Sequence, residues 1–154
     1  PKSLLRLKQA ASPMKEFLDG EFKLVIPEVE KIDNKKVTKV IMCAGKVYYD
    51  LAEARSKAGK NHIAIIRIEQ LYPYPEDEVK AELMKYPHAK TVVWCQEEPK
   101  NQGAWYPQNH HMMSCLSSDQ TLVYAGRNAS AAPAVGYLKS HTEQQSALIE
   151  EALA

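Results

Sequence analysis

Cysteine-pair motifs, glycine-rich loops and long apolar runs are missing from this 154-residue sequence, and each absence excludes something. No apolar run approaches the ~20 residues of a bilayer-spanning helix, and no signal-peptide pattern opens the chain. The three cysteines, Cys43, Cys95 and Cys115, are odd in number and lie in no C-x-x-C. They read as reduced, buried thiols of a cytosol-like compartment rather than as a disulfide framework or a zinc site. The six glycines are scattered, and "CAGKVYY" (43–49) is neither a phosphate-binding P-loop nor a G-x-G-x-x-G turn. Charge of one sign is missing too. With 20 basic and 19 acidic residues the net charge is +1, so no global field draws nucleic acid or a membrane surface. The distribution is uneven, with 13 basic and 8 acidic residues in 1–60 against 7 and 11 in the remainder. Internal repeats and low-complexity tracts are absent.

What is present is an alternation. "KVTKVIMCAG" (36–45) is β-branched and apolar, and closes on a glycine. "KVYYDLAEARSKAG" (46–59) places Val47, Leu51, Ala54 and Ala58 at helical spacing, with Gly59 as its stop. "HIAIIRIE" (62–69) predicts a second buried strand. "PEDEVKAELMKYP" (75–87) predicts a helix with Pro75 and three acids at its start and Val79, Leu83 and Tyr86 in one stripe. "AKTVVWCQ" (89–96) and "QTLVYAG" (120–126) are two more strands around a mostly helical 102–115. The tail "SHTEQQSALIEEALA" carries Ser140 and Glu143 at capping-box spacing. Strand and helix in turn predict an α/β, three-layer domain: a mostly parallel sheet with helices on both faces. Residues 36–154 are expected to form it. Residues 1–35 read as a lead-in, or linker from a preceding domain, with a short helix near Pro13–Leu18 and an edge strand at Phe22–Ile26. The opening "PKSLLR", with neither an initiator Met nor an N-cap, looks cut from something longer.

Ligands of open parallel sheets gather outside the carboxyl ends of the strands. Here those ends are Gly45-Lys46, Arg67 to Gln70, Gln96 to Glu98 and Gly126-Arg127. Lys46, Arg67 and Arg127 are therefore the candidate anion-binding or effector-binding residues, with the helix start at Lys46 adding amide donors. The competing reading is an edge where loops satisfy each other's charges. Gln96, Glu97, Glu98, Asn101, Gln102 and Trp105 are candidates for ordering a loop or an interface. Glu97 and Glu98 point to opposite sides of an extended chain, and Pro99 holds Glu98 extended. They are expected to accept bonds from loop backbone and from Arg67 or Arg127. His110 and His111, adjacent on a helix, diverge by ~100° and do not make the i,i+4 pair of a zinc helix. No metal site is expected. Ser130 lacks the elbow of a nucleophile and reads as turn chemistry, and Trp94 reads as core. No catalytic residue emerges.

Four stretches carry a resemblance: "KVIMCAGKVYYDL", "IAIIRIEQLYPYP", "VVWCQEEPKNQGAW" and "YAGRNASAAPAVGYLKSHTEQQ". In this order they resemble the C-terminal domain of 2-oxoglutarate dehydrogenase E1 components, and the likeness runs through the whole chain. More widely, it is similar to the C-terminal domains of transketolase and pyruvate dehydrogenase E1. The resemblance implies a full-length enzyme of the tricarboxylic acid cycle. That enzyme decarboxylates 2-oxoglutarate on thiamine diphosphate and Mg²⁺ and succinylates the lipoyl arm of an E2 succinyltransferase, in a complex with E3. It also implies a homodimer whose cofactor and catalytic histidines belong to upstream domains. The Gly-Asp-Gly motif for thiamine is not in these residues, and His110 and His111 inherit no role. By itself the chain is then expected to bind no cofactor and to be inactive, serving domain and dimer packing. Some family members bind AMP or acetyl-CoA at the border with the preceding domain, where Lys2, Arg6, Lys46, Arg67 and Arg127 are the cations on hand. The implied compartment is the cytoplasm of a bacterium, or the mitochondrial matrix in a eukaryote. The alternative from another class is a standalone flavodoxin-like binding or signalling module.

Overall fold

The structure is a computed structural model and describes residues 2–154; Pro1, the first residue of the lead-in, lies outside the described residues. After 3₁₀ turns at Lys2–Arg6 and Lys8–Ala10 come α1 (Met14–Leu18) and β1 (Val25–Ile26). A third 3₁₀ turn at Asn34–Lys36 leads into β2 (Lys39–Cys43), α2 (Val47–Lys57), β3 (Ile63–Ile68), α3 (Glu76–Leu83) and β4 (Thr91–Pro99). The chain ends with α4 (Trp105–Ser114), β5 (Thr121–Arg127) and α5 (Leu138–Leu153). The sheet order is β1-β3-β2-β4-β5. β3, β2, β4 and β5 run parallel, and only β1 is antiparallel, pairing Val25 with Ile68 and Ile26 with Arg67.

Continuous burial along β2 and β3 follows from covering both faces. Alternate residues feed two cores. Val40, Met42, Ile66, Val92 and Trp94 pack with Val79 and Leu83 of α3 and Met112 of α4. Ile41, Cys43, Ile65, Val93 and Cys95 pack with Val47 and Leu51 of α2 and Leu148 and Ala152 of α5. The expected three layers are thus present. Burial pushes the Cys43 thiol up and, with Glu97 and Glu151 adding, the Cys95 thiol to about 12. These thiols are protonated core side chains at neutral pH.

Most boundaries fall within a few residues of the sequence reading, and four differences have physical causes. β4 runs on through Glu97 and Glu98 to Pro99, because a register shift against β5 between Gln96 and Pro99 absorbs the polar residues as a bulge. Pro107 sits in the first turn of α4, where its missing N–H costs the helix nothing. The capping box at Ser140 does not form: α5 starts at Leu138, so Ser140 lies inside the helix, and the cap residue Tyr137 makes no side-chain bond. On α2, Ala58 is exposed, and the fourth buried residue is Arg55.

Arg55 joins the lead-in to the body. Its guanidinium makes a two-pronged ion pair with Glu28 and donates to the Ile63 carbonyl at 3.0 Å, while a Glu28 oxygen accepts from Ile65 N at 2.7 Å. Both side chains are almost wholly buried.

A second polar clip joins α3 to α4. His111 Nδ1 lies 2.6 Å from Glu76, and Ser114 Oγ donates to the other carboxylate oxygen at 2.9 Å. These two bonds, the histidine's first, hold the Glu76 carboxyl below its usual 4.5. A depressed folded pKa stabilises above the ordinary value, and that contribution is lost as pH falls through the lowered one. Glu76→Gln should therefore be less stable than the parent above about pH 4.5. The gap should close on further acidification in urea melts between pH 3 and 6; a gap independent of pH would contradict the clip.

Candidate functional site: the carboxyl ends of the strands

Chain direction across the sheet reverses at β2, because β3 lies on one side of it and β4 on the other. The crevice between the carboxyl ends of β2 and β4 is then the switch point at which such sheets take ligands. In this molecule that crevice is crossed by its own side chains. Lys46, at the start of α2, reaches Glu97 at 2.8 Å and Asp50 at 2.9 Å. Gln145 of α5 donates to the same two carboxylates, at 3.0 Å to Glu97 and 2.9 Å to Asp50. Gln145 in turn accepts from Arg127 at 2.9 Å, and the other arm of Arg127 donates to Gln144 at 2.6 Å. His141 Nδ1 lies 3.3 Å from the same guanidinium. One connected network therefore ties α2, β4, β5 and α5, and it consumes two of the three expected anion-binding cations.

The third, Arg67, is different. Its guanidinium lies 4.2 Å over the Tyr48 ring, and its Nε is buried with no hydrogen-bond partner. It lines a cavity of about 570 Å³ or less, one of 540 Å³, together with Tyr49, Glu69, Phe17 and Phe22. The expected bonding of Glu97 and Glu98 to Arg67 or Arg127 is not formed. Glu97 takes Lys46 instead, since the bulge turns it toward α2, and Glu98 is exposed with no side-chain partner among the described residues.

On the other face Gln96 organises the loop. Its Oε1 accepts from Trp94 Nε1 at 2.9 Å and from Trp105 N at 3.0 Å. Its Nε2 donates to the carbonyls of Glu98, Pro99 and Gln102, at 3.2, 3.2 and 2.7 Å. Gly103 has φ +67°, and a Cβ there would meet Gln96 Nε2 at 3.0 Å; the loop folds onto the amide because no side chain intervenes. Asn101 exchanges two 2.9 Å bonds with the backbone of Ser130, and Gln102 adds one at 3.1 Å to the Ser130 carbonyl. Ser130 thus serves as a turn residue. Trp105 is half-buried against Tyr124, ring centres 5.1 Å apart. Among the described residues no three His, Cys, Asp or Glu side chains gather as metal ligands, and no helix is long and apolar enough to cross a membrane.

Sequence reasoning missed Asp50, Gln144 and Gln145 as partners in the network. Gln145 is 95 residues from Asp50 and 48 from Glu97, so no local pattern announces it. The Gln-Gln pair facing inward from an otherwise charged helix was the one signal available.

Fold and site together define a doubly covered, mostly parallel α/β domain whose ligand-facing edge is closed by internal polar bonds. The chain belongs to the 2-oxoglutarate dehydrogenase C-terminal family, which it matches over residues 11–153. It is 59% identical over 155 residues, 99% of its length, to the 2-oxoglutarate dehydrogenase E1 component of Coxiella burnetii. It is 54% identical over its whole length to that of Cupriavidus necator, and 53% identical over 99% to that of Haemophilus influenzae. The chain covers 16–17% of the length of these relatives. This membership supports the E1 reading and gives none to a standalone flavodoxin-like module.

Proposed function

We propose that this chain is the C-terminal domain of a 2-oxoglutarate dehydrogenase E1 component. In that reading the whole polypeptide decarboxylates 2-oxoglutarate and passes the succinyl group to the lipoyl arm of E2, within a complex that includes E3. The observation that carries it is 59% identity sustained over 99% of the chain. The domain's own part is packing: it holds the preceding domains and the homodimer partner, with residues 1–35 as the link into it. Gln96, Glu97, Glu98, Asn101, Gln102 and Trp105 keep the strand-end loops in one shape for that contact. The compartment is the cytoplasm.

Thiamine diphosphate and Mg²⁺ belong to such an enzyme, and the residues present here do not fit them. Three acidic or histidine ligands do not converge among the described residues, and Lys46 and Arg127 are held by internal partners. No step of the reaction is assigned to this chain. The polypeptide that contains it, supplied with both cofactors and 2-oxoglutarate, should release CO₂, and residues 1–154 alone should not. Decarboxylation by residues 1–154 alone would overturn this division of labour.

A second reading rests on Arg67. Of the three candidate cations it is the one without an intramolecular hydrogen bond or ion pair among the described residues, and it opens on a cavity walled by aromatic rings. An anionic effector such as AMP or acetyl-CoA would be received there rather than at Lys46 or Arg127.

A further inference from the structure

Residues 2–24 are arranged unlike the rest of the molecule. Leu5, Met14, Phe17, Leu18 and Phe22 are each between 70% and 85% exposed. The 3₁₀ turns Lys2–Arg6 and Lys8–Ala10 and the helix α1 contain no buried residue. Helical pieces of 5, 3 and 5 residues are far too short to hold themselves in water, where helices below ~12 residues are marginal. They need a packed face. Their outlet is nonetheless anchored, since the Leu24 carbonyl accepts from Glu69 N at 2.9 Å and Gln70 N at 3.2 Å, and Glu28 is locked to Arg55. An apolar face is thus held out from a fixed base.

The charge of the same segment says what meets it. Lys2, Arg6, Lys8 and Lys15 are followed by the first acid only at Glu16, and none of these four cations forms an ion pair among the described residues. The matching surface is therefore apolar with a rim of carboxylates. The relatives hold more than four-fifths of their length outside the region matched here, and the family is described as the C-terminal part of the enzyme.

We infer that the face of Leu5, Met14, Phe17, Leu18 and Phe22 is the seat of an acid-rimmed apolar surface in the part of the same polypeptide that precedes residue 1. This rests on the reading of the chain as a C-terminal E1 domain, because that reading supplies the occupant. Covered methionines resist oxidation. Met84, 81% exposed on the α3 side of the sheet, is an internal reference.

The test is peroxide oxidation of the full-length polypeptide, read by mass spectrometry. Met14 should oxidise about tenfold more slowly than Met84. Carbodiimide crosslinks from Lys8 and Lys15 should lead to Asp or Glu upstream of residue 1. Equal oxidation of the two methionines would overturn the inference. So would crosslinks that join Lys15 to the 1–154 region of a second copy in mixed isotope-labelled samples. Decarboxylase activity, assayed in the same preparation, separates the two ideas. An active enzyme with an open Met14 sinks the seat alone, and a covered Met14 in an inactive protein sinks the E1 reading alone.

Discussion

Glu28→Ala should destabilise the fold by about 3–5 kcal/mol, the usual consequence of removing one partner of a buried ion pair. The guanidinium of Arg55 would stay in an apolar layer with only the Ile63 carbonyl to accept from it, and Ile65 N would lose its acceptor. Water reaches this position poorly, since both side chains are nearly inaccessible. The pair's net worth is smaller than the cost of breaking it. The double variant Glu28→Leu with Arg55→Met should therefore recover a large part of the loss, because desolvating two charges is itself expensive. Urea denaturation of the parent, the two single variants and the double variant makes the cycle. A loss below about 1 kcal/mol in Glu28→Ala would mean that the pair is solvated in solution. Because Glu28 follows β1, its loss should also free the lead-in, visible as faster amide exchange at Val25 and Ile26.

Gln96→Ala should be nearly as damaging, by about 3 kcal/mol, for a different reason. No charge is involved. One amide satisfies two donors and three acceptors, and each buried group left unpaired costs about 1–3 kcal/mol unless water replaces the bond. Trp94 Nε1 is the worst placed, since its ring is inside the core. For a chain of this size the loss corresponds to a fall in Tm of about 6–12 °C. Gln96→Glu is the sharper variant. It keeps the acceptor for Trp94 and Trp105 but turns a carboxylate toward three carbonyls, so it should be at least as unstable as alanine. A Gln96→Glu protein that melts like the parent would show that the loop does not depend on this amide.

Neither residue's role can be read from its neighbours in the chain. Gln96 was legible as part of a polar cluster at a strand end, but its partners depend on a bulge and on Gly103 folding back, which are consequences of pairing with β5. Glu28 gave no signal. It lies in a polar lead-in, and its partners are 27 and 37 residues away. Lys46 and Arg127 were legible as strand-end cations, and a cation at a strand end is equally suited to a ligand or to a neighbour. The distances to Glu97, Asp50, Gln144 and Gln145 decide for the neighbours.

The linear pattern determined the layers. Apolar β-branched runs between stripes spaced for helices leave few ways to bury both faces of a strand, and the parallel sheet follows from that requirement alone. It also determined kinship, because long stretches in fixed order are carried by the residues themselves. Only the folded chain decided which polar groups are spent on one another. Partners tens of residues apart meet only once the layers have packed, and a hydrogen bond depends on separations of tenths of an ångström that no spacing rule encodes.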